Sequence, residues 1–397
     1  MWLLLLAASL AADWLTLQGS EFGRDDTPIH AFGFVQPQLD IFVGGERVNG
    51  ERPIFNTIGG TPTSVRVHRA RIGVRGSIPK TEQRVSYYLL AEAGEVSLTR
   101  GAPVVLSDAS LTLSAPGARL RLGQFKLPVM EEIVQGVAVS LEFIHFSNTL
   151  TGLLLENRVD ATGQYSGPSF GFRDVGAQVF EGFQTDTFAG SYAIMLSNGN
   201  GIHAGDNDPA KDLSVRGEVA WVFEGERKSA RRHELKVGGW WLEGTRSSDG
   251  DRARRARRGA FVHLEQGSYW GLVEFADGVG MLESGRTTPF ATGEVVISPT
   301  GRGWGTVAQA GGRLEFSQGS IGLKGRYDRY HRRTDDSAAL RVFQTTTIGV
   351  EYNPVRKVRI QVNYEFRDLN APNAPIPAQQ VADAMADRIT TQVTASF

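Results

Sequence analysis

The sequence predicts an all-β protein: a transmembrane antiparallel β-barrel of about sixteen strands, with short periplasmic turns and long extracellular loops. Three observations lead to this fold class. Apolar and polar residues alternate with a period of two, the alternating segments have the length of a strand that crosses a bilayer at a tilt, and long connections alternate with short ones. The chain has 397 residues, of which 47 are glycine and none is cysteine. The lack of cysteine excludes disulfide frameworks, CxxC zinc sites and thiol catalysis.

The alternation is clearest in the segment VRIQVNYEFR, residues 358–367. Ile360, Val362 and Tyr364 fall on one face of this strand, and Gln361 and Asn363 fall on the other, because successive side chains of a strand point to opposite sides. Comparable segments begin near residues 29, 64, 84, 104, 118, 173, 188, 213, 233, 259, 269, 307, 320, 340, 358 and 386.

The connections between these segments favour a barrel over a soluble sandwich or propeller. A spanning sheet in hydrocarbon must close on itself, since no water is present to satisfy its backbone, and such barrels have short turns at one end and long loops at the other. The polar faces, which carry Arg359, Glu365 and Arg367, are also too charged for a packed interior. The long connections are predicted at 44–63, 127–172, 198–212, 243–258, 277–306 and 368–385.

The N-terminal region predicts an exported protein. Residues 1–12, MWLLLLAASLAA, have the apolar centre and small residues of a secretory signal, although no Lys or Arg precedes the apolar run. A buried N-terminal strand or helix is the alternative. We expect residues 13–28 to form a periplasmic N-terminal segment and residues 29–397 to form one barrel domain in the bacterial outer membrane.

The overall charge is close to balanced. The chain has 42 Lys and Arg residues against 43 Asp and Glu residues, for a formal net charge of −1. This balance argues against a nucleic-acid partner. Arginine predominates among the basic residues, with 35 Arg and 7 Lys.

Five segments together resemble the phosphate-selective porin O and P family of outer-membrane channels. They are VRVHRARIGVRGSI (65–78), SDASLTL (107–113), LRLGQFKLP (120–128), RDVGAQVFEG (173–182) and NGNG with a polar tail (198–212), and the chain ends in an aromatic residue. The resemblance implies a sixteen-stranded barrel, usually trimeric, in contact with outer-membrane lipid and lipopolysaccharide.

The resemblance also implies roles for particular residues. The terminal Phe397 would be the signal that the barrel assembly machinery recognises. Residues 127–172 would fold inward and narrow the pore, with an external lid or a trimer contact as the alternatives. Lys126, within LRLGQFKLP, would belong to the anion pathway.

Strand parity places a further set of cations on inward faces. Guanidinium groups stay charged and match the oxygens of phosphate or carboxylate, so a series of them would attract small anions. The best series is Arg69, Arg71 and Arg75 on one strand. Carboxylates share the same faces, so many of these arginines would instead pair across strands. The remaining predicted lumen residues are Arg84, Arg119, Arg121, Arg216, Arg326 and Arg359.

The run DRARRARR is predicted to lie in the long connection 243–258, at the mouth of the barrel. It would collect anions, bind lipopolysaccharide phosphates or simply be solvated. The basic residues concerned are Arg252, Arg254, Arg255, Arg257 and Arg258.

The expected function is therefore passive diffusion of small hydrophilic solutes, with a preference for anions such as phosphate. The alternative is a weakly selective or plugged barrel that is a structural component of the outer membrane. The seven His residues show no HExxH spacing. We therefore expect no enzyme, no catalytic residue, no cofactor and no metal site.

Overall fold

The structure is a computed structural model that describes residues 29–81, 84–99, 102–135, 141–157, 169–170, 172–206, 209–223, 233–248, 251–285 and 295–397. The predicted signal (1–12) and the predicted N-terminal segment (13–28) lie outside the described residues.

Within these residues, sixteen antiparallel strands close into a barrel. The first half contains β1 (His30–Val43), β2 (Thr63–Ser77), β3 (Val85–Glu92), β4 (Val105–Ala115), β5 (Ala118–Lys126), β6 (Arg173–Gln184), β7 (Phe188–Ser197) and β8 (Asp212–Val222). The second half contains β9 (Glu234–Ser248), β10 (Asp251–Gln266), β11 (Tyr269–Val279), β14 (Arg302–Phe316), β15 (Gly319–Arg332), β16 (Arg341–Val355), β17 (Val358–Asn370) and β18 (Asp387–Ser396).

The remaining elements lie in the connections. A small hairpin of β12 (Leu282–Gly285) and β13 (Val295–Ser298) separates β11 from β14. The helices are α1 (Glu131–Gln135), α2 (Asn148–Leu153) and α3 (Ile376–Asp383). No helix in the described ranges combines the length and the apolar character needed to cross a membrane.

The barrel closes between its first and last strands. β1 pairs with β18, and the terminal residue extends this pairing: the Phe397 amide donates to the Gly33 carbonyl at 3.0 Å, and the Gly33 amide donates back at 3.3 Å. Every barrel strand therefore has a neighbour on both sides within the described residues, which is the condition for a sheet in hydrocarbon.

The predicted strand starts are confirmed within one residue for every barrel strand except β10 and β14, which begin earlier than predicted. The largest difference concerns the connection predicted at 243–258. That prediction is wrong, because β9 continues to Ser248 and β10 begins at Asp251, with the two strands paired throughout. Five arginines among the eight residues 251–258 do not interrupt the strand, because arginines on both of its faces pair with carboxylates.

The two faces of the wall differ as the sequence predicts. In β17, Val362 is 43% exposed on the outside, whereas Gln361 and Asn363 are 1% and 0% exposed on the inside. Other strands carry the same outer apolar band, which includes Ile72, Val219, Val273, Leu323 and Ile348. An apolar exterior around a polar interior is the arrangement of a barrel that spans a lipid bilayer.

The outer face gives a first prediction. We expect Val362→Arg to destabilise the barrel in lipid vesicles by up to about 2–4 kcal/mol, because a lipid-facing charge must leave water. Urea titration of the folded fraction measures this change, with Val362→Ile as the control. Equal stability of the two variants would contradict a lipid-facing position.

Candidate functional site

The described residues of the connection between β5 and β6, which are 127–135, 141–157, 169–170 and 172, enter the barrel; we call them the inserted loop. Its apolar side chains form a hydrophobic core with inward-facing residues of the wall. The loop contributes Leu127, Val129, Met130, Ile133, Leu150, Leu153, Leu154 and Phe172, and the wall contributes Phe125, Met195, Trp240, Leu242, Ala276, Val307 and Tyr330, with Leu282 of the β12–β13 hairpin. The loop therefore covers one side of the lumen.

Helix α2 is fitted closely to this wall. The Ser147 hydroxyl accepts a hydrogen bond from the Leu150 amide and caps the helix. A Cβ added at Gly152 would lie 2.1 Å from the Tyr330 ring, whose hydroxyl donates to the Gly152 carbonyl at 3.2 Å. Only glycine allows this approach of helix and strand.

Buried ion pairs also attach the loop to the wall. The Glu131 carboxylate binds Arg216 of β8 and, at 2.7 Å, Lys236 of β9. The Glu156 carboxylate lies 2.7 Å from Arg255 and 3.0 Å from Arg257, both in β10. Removing one partner of such a buried pair leaves the other charge uncompensated, so these contacts fix the position of the loop.

This placement corrects the prediction that the DRARRARR arginines lie in a loop. All five residues lie in β10, whose alternation divides them between two faces. Arg255 and Arg257 are buried in the interior, whereas Arg252, Arg254 and Arg258 are exposed outside. Arg254 pairs with Glu243 and Arg258 pairs with Asp277 on neighbouring strands.

The opposite side of the lumen contains a cavity of about 380 Å³, between the inserted loop and strands at the two ends of the chain. We call it the basic cavity, because its cationic side chains outnumber its carboxylates. The cations are Arg66, Arg69, Arg71, Lys126, Arg173, Arg326, Arg367 and Arg388, and the carboxylates are Glu95, Asp328 and Glu365.

A β-bulge explains why four residues of β2 line this cavity. Pairing with β1 shifts between Gln36 and Pro37, so that Arg69 pairs with Gln36 while Val67 pairs with Pro37. His68 is the extra residue, and a bulge changes the face on which the following side chains lie. As a result Arg66, His68, Arg69 and Arg71 all reach the cavity.

Most of the cavity's arginines contact carboxylates. Arg71 binds Glu92 at 2.5 Å, Arg66 binds Asp40 at 3.3 Å and Arg173 binds Asp108 at 3.0 Å. Arg69 differs, because its guanidinium hydrogen-bonds the neutral Gln36 at 3.3 Å and lies 5.6 Å from the centre of the Phe146 ring. The pairing of arginines with wall carboxylates, one of the two alternatives left by the sequence, therefore applies to part of the set.

The other predicted lumen residues are spread along the inner wall. Lys126 lines the cavity and donates to the Ile133 carbonyl at 3.0 Å. Two more hold the inserted loop: Arg326 donates to the His145 carbonyl at 2.8 Å and Arg359 to that of Leu141 at 2.9 Å.

The remaining arginines lie away from the basic cavity. Arg119 binds Glu181 at 2.7 Å, and Arg121 lies over the Phe125 and Phe180 rings. Arg75 lies over Phe32. Arg84 is exposed and precedes β3, so its predicted position on the inner wall is wrong.

The sequence did not reveal the loop residues that face the wall arginines. Glu131, Glu132 and Glu156 are the carboxylates concerned, and the adjacent acidic pair Glu131–Glu132 directly after LRLGQFKLP was the available signal. Within the described part of the chain, no group of three or more His, Asp or Glu residues could hold a metal ion.

Solved porin structures share this fold. Salmonella typhi OmpF in complex with daunomycin aligns with a TM-score of 0.62 at 14% identity, covering 95% of this chain and 100% of that one. The anion-selective porin from Comamonas acidovorans gives 0.56 at 12% identity, covering 93% and 99%. In-vitro folded OmpT of Vibrio cholerae in its trimer form gives 0.50 at 11% identity, covering 93% and 99%.

No protein-family model matches the chain, and no curated protein matches it. The fold that the resemblance implied is confirmed: this is a porin-like β-barrel of the bacterial outer-membrane type.

The loop attachment gives a prediction with a pH dependence. Burial alone raises the pKa of a carboxyl, but Arg255, Arg246 and Arg257 outweigh burial and hold the pKa of Glu156 at about 2, below the ordinary 4.5. A lowered pKa stabilises the folded state fully above pH 4.5, and this contribution is lost as the pH falls toward 2.

We therefore expect Glu156→Gln to destabilise the barrel at pH 7 by roughly 3 kcal/mol, with a difference from wild type that shrinks below pH 4.5. Thermal unfolding in detergent micelles, followed by circular dichroism between pH 7 and pH 2.5, measures it. Glu243→Gln, which removes the exposed partner of Arg254, is the control. A pH-independent difference would contradict the assignment.

Proposed function

We propose that this chain is a passive diffusion channel of the bacterial outer membrane for small hydrophilic solutes, with a preference for anions that include phosphate. The carrying observation is the charge of the basic cavity, in which eight cationic side chains face three carboxylates. The resemblance to the phosphate-selective porin O and P family and the shared fold with an anion-selective porin support the proposal.

The chemistry of the cavity suits transport rather than tight binding. Arginine guanidiniums replace part of an anion's hydration shell, and partial pairing with carboxylates weakens each site. An anion can then move between neighbouring cations without being held at one of them. Arg69 and Arg71 of β2, with Arg75 further along the strand, are the pathway we propose, and Lys126 lies beside them.

The inserted loop would narrow this pathway. It covers one side of the lumen and contributes Leu141, His145, Phe146 and Leu155 to the cavity lining. Its attachment through buried ion pairs would keep the narrow section at a constant width.

A plugged or weakly selective barrel is the second candidate. The hydrophobic core between the loop and the wall favours it, because close-packed side chains leave no water path on that side of the lumen. Single-channel conductance separates the two candidates, since a plugged barrel passes no steady current.

The same proposal extends to partners. We propose a homotrimer, as in the trimer form of the structurally similar OmpT. The exposed Arg252, Arg254 and Arg258 on the outer face would contact lipopolysaccharide phosphates rather than collect anions. Phe397, 63% exposed at the end of the closing strand, would be presented to the barrel assembly machinery.

The anion preference is tested by reversal potential in a planar bilayer under a KCl gradient. We expect a chloride-selective wild type, and a reversal potential closer to zero after Arg69, Arg71 and Arg75 are changed to Ala, because three lumen charges are lost. Arg254→Ala, on the outer face, is the matched control. A cation-selective wild type, or an unchanged triple variant, contradicts the proposal.

The assembly role is tested with Phe397→Ser. We expect a several-fold lower yield of folded barrel in the outer membrane, measured by heat-modifiable migration on gels. Refolding of the purified variant into detergent should succeed, since the two terminal hydrogen bonds use only the backbone. Equal yields in cells would contradict the role.

A further inference from the structure

We infer that the basic cavity is a binding site for organic carboxylates with an apolar body, such as aromatic carboxylates, in preference to inorganic phosphate. This inference rests on the proposed anion channel and specifies its solute class. It depends on one feature of the cavity, which is that its cations lie directly against apolar and aromatic side chains.

The centre of the site is a corner of two aromatic rings and two guanidiniums. The rings of Phe146 and Phe172 pack edge to face, with centres 5.6 Å apart and planes at 90°. The Arg69 guanidinium lies 5.6 Å from the Phe146 ring centre, and that of Arg173 lies 5.4 Å from the Phe172 ring centre. Phe146 remains only half-buried, so part of its surface faces the cavity.

The apolar lining continues beyond this corner. Val96, Leu98, Leu141 and Leu155 also border the cavity, and they come from two different connections of the chain. A volume of about 380 Å³ falls in the range of small-molecule sites, about 300–1,000 Å³. An inorganic anion would use the cations but leave this apolar surface in contact with water.

Three polar side chains that border the cavity have no carboxylate partner among the described residues, and Arg69 is the one that lies at the aromatic corner. The Arg69 guanidinium hydrogen-bonds the neutral Gln36, so this bond does not neutralise the positive charge that would attract a ligand. His68 borders the cavity, and its Nδ1 has no hydrogen-bond partner among the described residues. Arg367 donates to the backbone carbonyls of Phe55 and Ala386. A carboxylate at Arg69 would place its apolar body on Phe146.

The geometry distinguishes an organic carboxylate from phosphate through desolvation. Phosphate is strongly hydrated on all sides, so apolar walls within a few ångströms deprive it of water without replacing the lost hydrogen bonds. An aryl group gains from the same walls, because aromatic contacts are favourable beyond the area that they bury.

The experiment is block of KCl current through the wild-type channel by anions added to one side. Acetate, cyclohexanecarboxylate and benzoate carry the same charge and differ in the apolar body. We expect half-block by benzoate at a concentration about tenfold lower than for acetate or phosphate. Half-block by phosphate at the same or a lower concentration than benzoate would overturn the inference.

Variants locate the site. Phe146→Leu should raise the benzoate concentration for half-block by about threefold to tenfold. Arg69→Gln should weaken block by benzoate and phosphate alike. Phe32→Leu is the matched control, because Phe32 also lies beneath an arginine of β2, Arg75, but does not border the cavity.

Equal effects of Phe146→Leu and Phe32→Leu would overturn the site. If Phe146→Leu does not assemble, the series of three carboxylates on the wild type still decides the inference. The reversal potential distinguishes a failure of this inference from a failure of the proposed function. A chloride-selective channel without benzoate preference refutes the inference alone, whereas a cation-selective channel refutes the proposed function as well.

Discussion

Backbone hydrogen bonding in hydrocarbon is the constraint on which the whole molecule depends. Each strand must pair on both sides, so the sheet closes, and closure forces one face of every strand toward lipid and the other toward the lumen. The paired termini, in which Phe397 and Gly33 exchange backbone hydrogen bonds, complete this ring. The concentration of arginine and carboxylate inside the barrel follows, because the apolar band that faces lipid cannot carry them.

The polar groups inside the barrel must find hydrogen-bond or charge partners among themselves. The inserted loop supplies some of these partners. Its carboxylates Glu131 and Glu156 enter a basic wall and neutralise Arg216, Arg255 and Arg257. Its apolar residues cover the neighbouring part of the wall. The lumen is thereby divided into a side packed against the loop and a side that contains the basic cavity, and the proposed transport path lies on the latter.

The strands were predictable because period-two alternation and turn composition are local properties. Val362 and Asn363 occupy the faces that their order in the chain requires. The prediction was wrong at residues 243–258, where the Arg-rich run was interpreted as a loop although β9 and β10 continue through it. A polar segment indicates a loop only where one face of a strand would have to be buried in apolar surroundings. In β9 and β10 the polar side chains contact charged partners instead.

The sequence by itself determined the sixteen strands, their inward and outward faces and the basic character of the interior, since each follows from residue order along one strand. Only the tertiary structure decided which arginines face a carboxylate and which border the cavity. Arg69 and Arg216 are both arginines predicted on inward faces. Arg69 hydrogen-bonds Gln36, whereas Arg216 binds Glu131 of the loop. That distinction depends on contacts between residues far apart in the chain, which closure and loop insertion create.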